Sequence, residues 1–195
     1  MTTFQRVGLH LTDRCQLDCD HCLRDPDGTP HDLSLATVVA VLDEAKRVYA
    51  IRHVSFTGGE PTLHPQLAEV LDAVAERGFD FDLVTNGHRF ERFVALLDAR
   101  PARLAAFRSL TLSLDGATEA THDGIRGEGS YRDVMRAAAL CLARGLPFGL
   151  QMAVHARNEA ELDAFGLLAA ELGAKHVSFA MTQPTGTPHD ATPFL

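Results

Sequence analysis

The sequence predicts an α/β fold: six parallel strands in a partial (β/α)6, TIM-like barrel. Three observations carry that expectation. Six short β-rich runs alternate with helical runs at fairly regular intervals, the pattern of a parallel sheet with right-handed crossovers. The later strands place apolar residues on one face and polar or small residues on the other. The unusual motifs all fall just after a strand, the end at which such sheets hold their chemistry.

The strand runs are "RVGLHLT" from Arg6, "HVSFT" from His53, "FDFDLVT" from Phe79, "LTLSLD" from Leu110, "PFGLQMAV" from Pro147 and "HVSFAMT" from His176. Between them lie helices with apolar residues three and four apart. Leu35, Val38, Val39, Leu42 and Val48 share the first face, with Ser34 as N-cap. Leu67, Val70, Leu71 and Val74 share the second, closed by Gly78. A third helix begins near Arg89 and is interrupted by Pro101. A fourth runs from near Ser130 to Gly145. The fifth is capped by Asn158 and ends before Gly173.

Alternation within the strands separates two faces. Leu110, Leu112 and Leu114 oppose Thr111, Ser113 and Asp115. Phe148, Leu150, Met152 and Val154 oppose Gly149, Gln151, Ala153 and His155. Val177, Phe179 and Met181 oppose Ser178, Ala180 and Thr182. A parallel sheet buried on both faces is apolar on both, so the polar face is expected to line a cavity.

A chain of 195 residues suits one domain with a sizeable core. That domain is expected over 1–182, followed by a tail at 183–195, where the chain either ends or is cut from a longer protein. Lys plus Arg is 18 against 26 Asp plus Glu, a net charge of −8 that offers nucleic acid no basic footprint. No apolar stretch reaches the length of a membrane span, and no signal peptide is evident, so a cytoplasmic location is expected. In a reducing compartment clustered cysteines point to metal binding or catalysis.

"LTDRCQLDCDHC" holds three of the four cysteines, Cys15, Cys19 and Cys22. Three thiolates in one short loop suit an iron–sulfur cubane with one iron left open. A zinc site completed by His21 or His31 is the alternative. In "FTGGEP", Gly58 and Gly59 let the backbone approach a ligand closely, and Glu60 supplies a carboxylate for an ammonium group. Cys141 sits mid-helix between Leu140 and Leu142 and reads as a buried apolar residue.

The cysteine motif followed by "TGGEP", with "TNG" at 85–87 and "SLDG…HDGIRGEGSY" at 113–131, resembles the radical S-adenosylmethionine (SAM) superfamily. The likeness is to the core domain of its molybdenum-cofactor, haem and peptide-maturation members. It implies a [4Fe–4S] cluster on Cys15, Cys19 and Cys22, with S-adenosylmethionine on the open iron. Reductive cleavage would give a 5′-deoxyadenosyl radical that abstracts hydrogen from a peptide or small molecule. The resemblance further implies cofactor contacts from Gly58, Gly59, Glu60, Ser113, Arg126 and Gln151, with His21 packing near the adenine. Arg126 would clamp the cofactor's carboxylate, and Gln151 would meet its ribose. Asp115, His122 and Asp123 would line the substrate side, while Asn86 stabilises its own turn. A flavodoxin or ferredoxin would supply the electron. No catalytic residue is assigned. A zinc-binding non-redox module and a cluster-bearing inactive fragment remain as alternatives.

Overall fold

The computed structural model describes residues 5–25 and 28–182; the expected tail at 183–195 lies outside them. The strands are β1 (Val7–His10), β2 (His53–Thr57), β3 (Asp80–Thr85), β4 (Phe107–Ser113), β5 (Phe148–Val154) and β6 (Val177–Met181). They form one six-stranded sheet in the order β1-β2-β3-β4-β5-β6. Register runs in parallel, Val7 against Val54, Val54 against Phe81, and Leu150 against Val177. Sequential parallel order with helical crossovers is the topology of a partial (β/α)6 barrel.

The helices are α1 (Leu35–Tyr49), α2 (Leu67–Glu76), α3 (Phe90–Asp98), α4 (Pro101–Ala106), α5 (Glu119–Arg126), α6 (Ser130–Arg144) and α7 (Leu162–Glu171). Ser34 caps α1, its hydroxyl accepting from the Thr37 N–H at 3.1 Å. The buried stripe of α1 is Val38, Leu42 and Ala45. Val48 is exposed, because the row from Val38 through Leu42 continues at Ala45. Gly78 follows α2 with φ 69°, a left-handed step that glycine takes without a Cβ penalty.

Two elements differ from expectation. β4 begins at Phe107, three residues before Leu110. The segment after β4, where no helix is expected, contains α5, whose Thr118 hydroxyl accepts from the Thr121 N–H at 3.2 Å. Arg126 is therefore the last residue of a helix.

The chain divides into two compact units. The first comprises residues 1–15, 29–85 and 91–110. Its core holds Phe56, Phe81, Phe93 and Phe107, with ring centroids 5.6–6.0 Å apart along the series. Arg103, buried, forks onto Asp72 at 2.6 and 2.8 Å and ties α4 to α2.

The second unit comprises residues 16–28, 86–90 and 111–195. Leu112, Leu114, Val134, Ala137, Ala138, Cys141, Leu150 and Met152 are at or near full burial in it. Phe148, Leu150, Met152 and Val154 form the buried face of β5, whereas Gln151 and Ala153 opposite them are half-buried. On β6 the expected apolar face is largely exposed, Phe179 at 50% and Met181 at 61%. β6 is the edge strand, and α7 reaches its face through Phe165 against Phe179.

Candidate functional site

In the first unit the segment before Cys15 is zipped to the turn after β2. The Gly59 N–H donates to the Thr12 carbonyl and the Glu60 N–H to the Arg14 carbonyl, both at 2.7 Å. A Cβ on Gly58 would stand 2.5 Å from the Thr12 oxygen. One on Gly59 would stand 2.5 Å from the Arg14 oxygen and 2.7 Å from the Asp13 oxygen. The glycines thus let two backbones touch. The expected close approach is made, at least in part, to the cysteine loop itself.

Glu60 is buried at the tight turn that follows. Its Oε1 accepts from the Thr62 N–H at 3.1 Å, the Thr62 hydroxyl at 2.6 Å and the Thr85 hydroxyl at 2.9 Å. Nothing in the sequence marks Thr85, the last residue of β3, beyond its place in "TNG". The loop is also fastened from its other side. Arg14 forks onto Asp32 at 3.0 and 3.1 Å, and Thr12 donates to the same carboxylate at 2.6 Å. The arginine, ahead of the Thr12 hydroxyl, holds Asp32 below the usual carboxylate range.

Of the cysteines, Cys15 is half-buried in the first unit; Cys19, buried, and Cys22, half-buried, lie in the second. Among the described residues no three His, Cys, Asp or Glu side chains gather as they would about a single metal ion. A cubane spreads its thiolates over separate irons and makes no such demand. Cys141 is buried within α6, and burial pushes its thiol up to about 12, so it stays a neutral apolar filler as expected.

The second unit gathers a buried polar cluster around Asp115, which is fully buried. Arg126 Nε donates to Asp115 Oδ2 at 2.5 Å, the Ala153 N–H donates to Oδ1 at 2.8 Å, and His21 Nε2 lies 3.5 Å from Oδ2. Burial pushes the Asp115 carboxyl up, and Arg126, with His21 and the Ala153 N–H, more than offsets it, so the group lies below its ordinary value. The Asp115 N–H donates to His122 Nδ1 at 2.9 Å, and Asn158 Nδ2 donates to the carbonyls of Asp115 and Ala153, both at 2.9 Å. His21 and His155 face each other, ring centroids 6.1 Å apart. Burial lowers the pKa of both, and of His122 to about 4, so the three imidazoles are neutral at pH 7.

Several of the expected site residues have partners within the protein. Arg126, expected on the cofactor's carboxylate, turns its Nε to Asp115. His122 is fully buried against the Asp115 backbone. Asp123 accepts from the Gly129 and Tyr131 N–H groups at 2.7 and 2.8 Å, capping the turn into α6. Asn86 does stabilise its turn, accepting from the His88 N–H at 3.1 Å, and it also accepts from Gln16 Nε2 of the cysteine loop at 2.8 Å. Ser113 and Gln151 lie half-buried on the less buried faces of β4 and β5.

A parallel β/α sheet, a three-cysteine loop after β1 and a glycine pair after β2 define a class of iron–sulfur radical enzymes. The family model described as "Radical SAM superfamily" matches residues 9–169, and the chain belongs to that family. The family's cofactors are a [4Fe–4S] cluster and S-adenosylmethionine. Mycofactocin maturase MftC of Mycobacterium tuberculosis (strain ATCC 25618 / H37Rv) is 35% identical over 168 residues, 84% of this chain and 41% of the relative. PqqA peptide cyclase of Gluconobacter oxydans (strain 621H) is 33% identical over 182 residues, 90% of this chain and 49% of the relative. The chain therefore spans less than half the length of these curated relatives. Streptococcus suis SuiB, solved with S-adenosylmethionine, superposes with a TM-score of 0.79 at 15% identity, over 99% of this chain and 44% of SuiB. The peptide-bound anSMEcpe gives 0.73 at 19%, over 92% and 51%. These structural likenesses establish the fold. Among the described residues no helix is long and apolar enough to cross a membrane.

Proposed function

We propose that this chain is the core, over residues 1–182, of a radical SAM enzyme that modifies a peptide. Cys15, Cys19 and Cys22 would hold the [4Fe–4S] cluster, each thiolate on its own iron. When bound and reduced, the cluster would supply the electron for reductive cleavage of S-adenosylmethionine, the family's route to hydrogen abstraction from substrate.

The chain's own residues bind and orient. Glu60 is fixed by Thr62 and Thr85, and the Gly59 and Glu60 N–H groups tie the turn to the segment that opens the cysteine loop. That preorganised turn suits the amino group of S-adenosylmethionine. Ser113 and Gln151, on the less buried faces of β4 and β5, suit its carboxylate and ribose. Arg126 belongs to the same set, but its bond to Asp115 makes it the group that keeps a buried carboxylate ionised and in place. Packed imidazoles around Asp115 exclude water from that corner.

A peptide is favoured over a small molecule because one relative is named a peptide cyclase and two fold neighbours were solved with peptides. A flavodoxin or ferredoxin in the cytoplasm would supply the electron. The observation that carries the reading is the pair of 2.7 Å hydrogen bonds joining the Gly59–Glu60 turn to the segment that opens the cysteine loop. Anaerobic reconstitution with iron and sulfide analysis, followed by assay for 5′-deoxyadenosine, tests it. Stoichiometric zinc without sulfide supports the non-redox module, and a cluster without 5′-deoxyadenosine supports the inactive fragment.

A further inference from the structure

His155 follows β5 and is fully buried. Its backbone is pinned from several sides. The His155 N–H donates to Asn158 Oδ1 at 2.9 Å, and its carbonyl accepts from the Asn158 and Glu159 N–H groups at 3.0 and 3.1 Å. The ring is pinned as well, because the Arg157 N–H donates to His155 Nδ1 at 3.3 Å. Nδ1 is then an acceptor, and the neutral ring must carry its proton on Nε2. Among the described residues nothing accepts from that N–H.

A buried donor without an acceptor is costly, and proteins rarely leave one so. His122 shows the same pattern, Nδ1 accepting and Nε2 without a hydrogen-bond partner, but its ring meets Tyr131 in a T-shaped pair, 5.9 Å between centroids. His155 instead faces His21, the residue next to Cys22.

We propose that His155 Nε2–H is a positioning donor to the adenosine half of S-adenosylmethionine, which supplies the acceptor that the protein lacks. This rests on the reading under Proposed function. The surroundings select the half. Of the charged groups, Asp115 acts most strongly on His155, Arg157 opposes it and Asp20 adds to it, and this excess of negative charge disfavours the cofactor's carboxylate. An uncharged ring nitrogen or ribose hydroxyl meets no such repulsion. The paired rings of His21 and His155 also offer flat surface of the kind a purine packs against.

The test is anaerobic calorimetry on the reconstituted protein with three probes: S-adenosylmethionine, 5′-deoxyadenosine and methionine. His155→Phe keeps a flat ring and removes the donor. It should weaken S-adenosylmethionine and 5′-deoxyadenosine about ten-fold each and leave methionine unchanged. His155→Gln, which restores an N–H at similar reach, should recover most of the loss. His155→Leu serves if the phenylalanine variant does not fold. With iron content and melting temperature unchanged, unaltered affinity in the donor-less variant would show that a buried water satisfies Nε2, and the proposal fails. An equal loss for methionine overturns it too. Failure of the unmodified protein to bind S-adenosylmethionine overturns the parent reading, which distinguishes the two.

Discussion

Gly59 and Arg14 are in backbone contact: a Cβ on the glycine would lie 2.5 Å from the arginine carbonyl oxygen, one residue before Cys15. A side chain at Gly59 therefore displaces the cysteine loop as well as any ligand. The sequence alone suggests that Gly59→Val would abolish cofactor binding with the cluster intact; the contact with Arg14 predicts a loss of both. Gly59→Ala should cost about 1–3 kcal/mol through forced backbone movement and lower the iron retained on reconstitution. Urea unfolding and iron analysis measure the two effects. Gly166→Ala is the control. Gly166 lies within α7, where an added Cβ would meet nothing within 4 Å, so alanine should raise stability by about 0.5–1 kcal/mol.

Arg126 is what permits Asp115 to be ionised at full burial. Arg126→Met takes away that carboxylate's main compensating charge and should destabilise the unreconstituted protein by about 3–5 kcal/mol. The double change Arg126→Met with Asp115→Asn should recover part of it, because no buried charge is then left alone. Equal stability of the single and double variants would mean the pair is not coupled.

His122 makes stability depend on pH. Burial first, then the Arg126 charge, lowers its pKa from 6.5 to about 4, against the opposing pull of Asp115 and Asp123 and with a further lowering from His21. The folded value lies below the unfolded one, so the unfolded chain takes the proton first. Stability is full above about pH 6.5 and declines as pH falls toward 4, by on the order of 3 kcal/mol from this group. The lowered pKa of Asp115 adds a loss of the same sign at still lower pH. Urea midpoints between pH 7.5 and 4.5 measure the slope. His122→Asn, whose Oδ1 can still accept from the Asp115 N–H, should flatten it.

Cys141 separates a packing thiol from ligand thiols. Cys141→Ala should leave iron and sulfide unchanged and lower stability by about 1 kcal/mol, since it removes one buried sulfur. Alanine at Cys15, Cys19 or Cys22 should abolish cluster assembly, whatever it does to the stability of the unreconstituted chain. Iron analysis beside thermal melts distinguishes the two groups.

What can be read from sequence is whatever depends on local pattern. β2 falls where "HVSFT" places it, and Ser34 and Gly78 end their helices as their chemistry requires. The leucines of β4 are buried and Ser113 opposite them is not, as alternation demands. α5 is hidden because it is short, contains Gly124 and lies between Gly116 and Gly127. Tertiary bonds support it instead, from the Asp20 N–H to the Ile125 carbonyl at 3.1 Å and from Arg157 to the Gly124 carbonyl at 2.5 Å. Asn158 stands at the expected helix start, yet its amide is drawn to the Asp115 and Ala153 carbonyls. The two glycines announce a close approach without saying to what. His155 is legible only as one more residue on the polar face, because its tautomer and its unmatched N–H exist only in three dimensions.

The most direct test of the central claim is formation of 5′-deoxyadenosine by the anaerobically reconstituted, dithionite-reduced chain supplied with S-adenosylmethionine. The account predicts about four irons and four sulfides per chain, 5′-deoxyadenosine in the unmodified protein and in Cys141→Ala, and none in the Cys15, Cys19 or Cys22 variants. A fully assembled cluster in any of those three variants, or 5′-deoxyadenosine made without them, would contradict it.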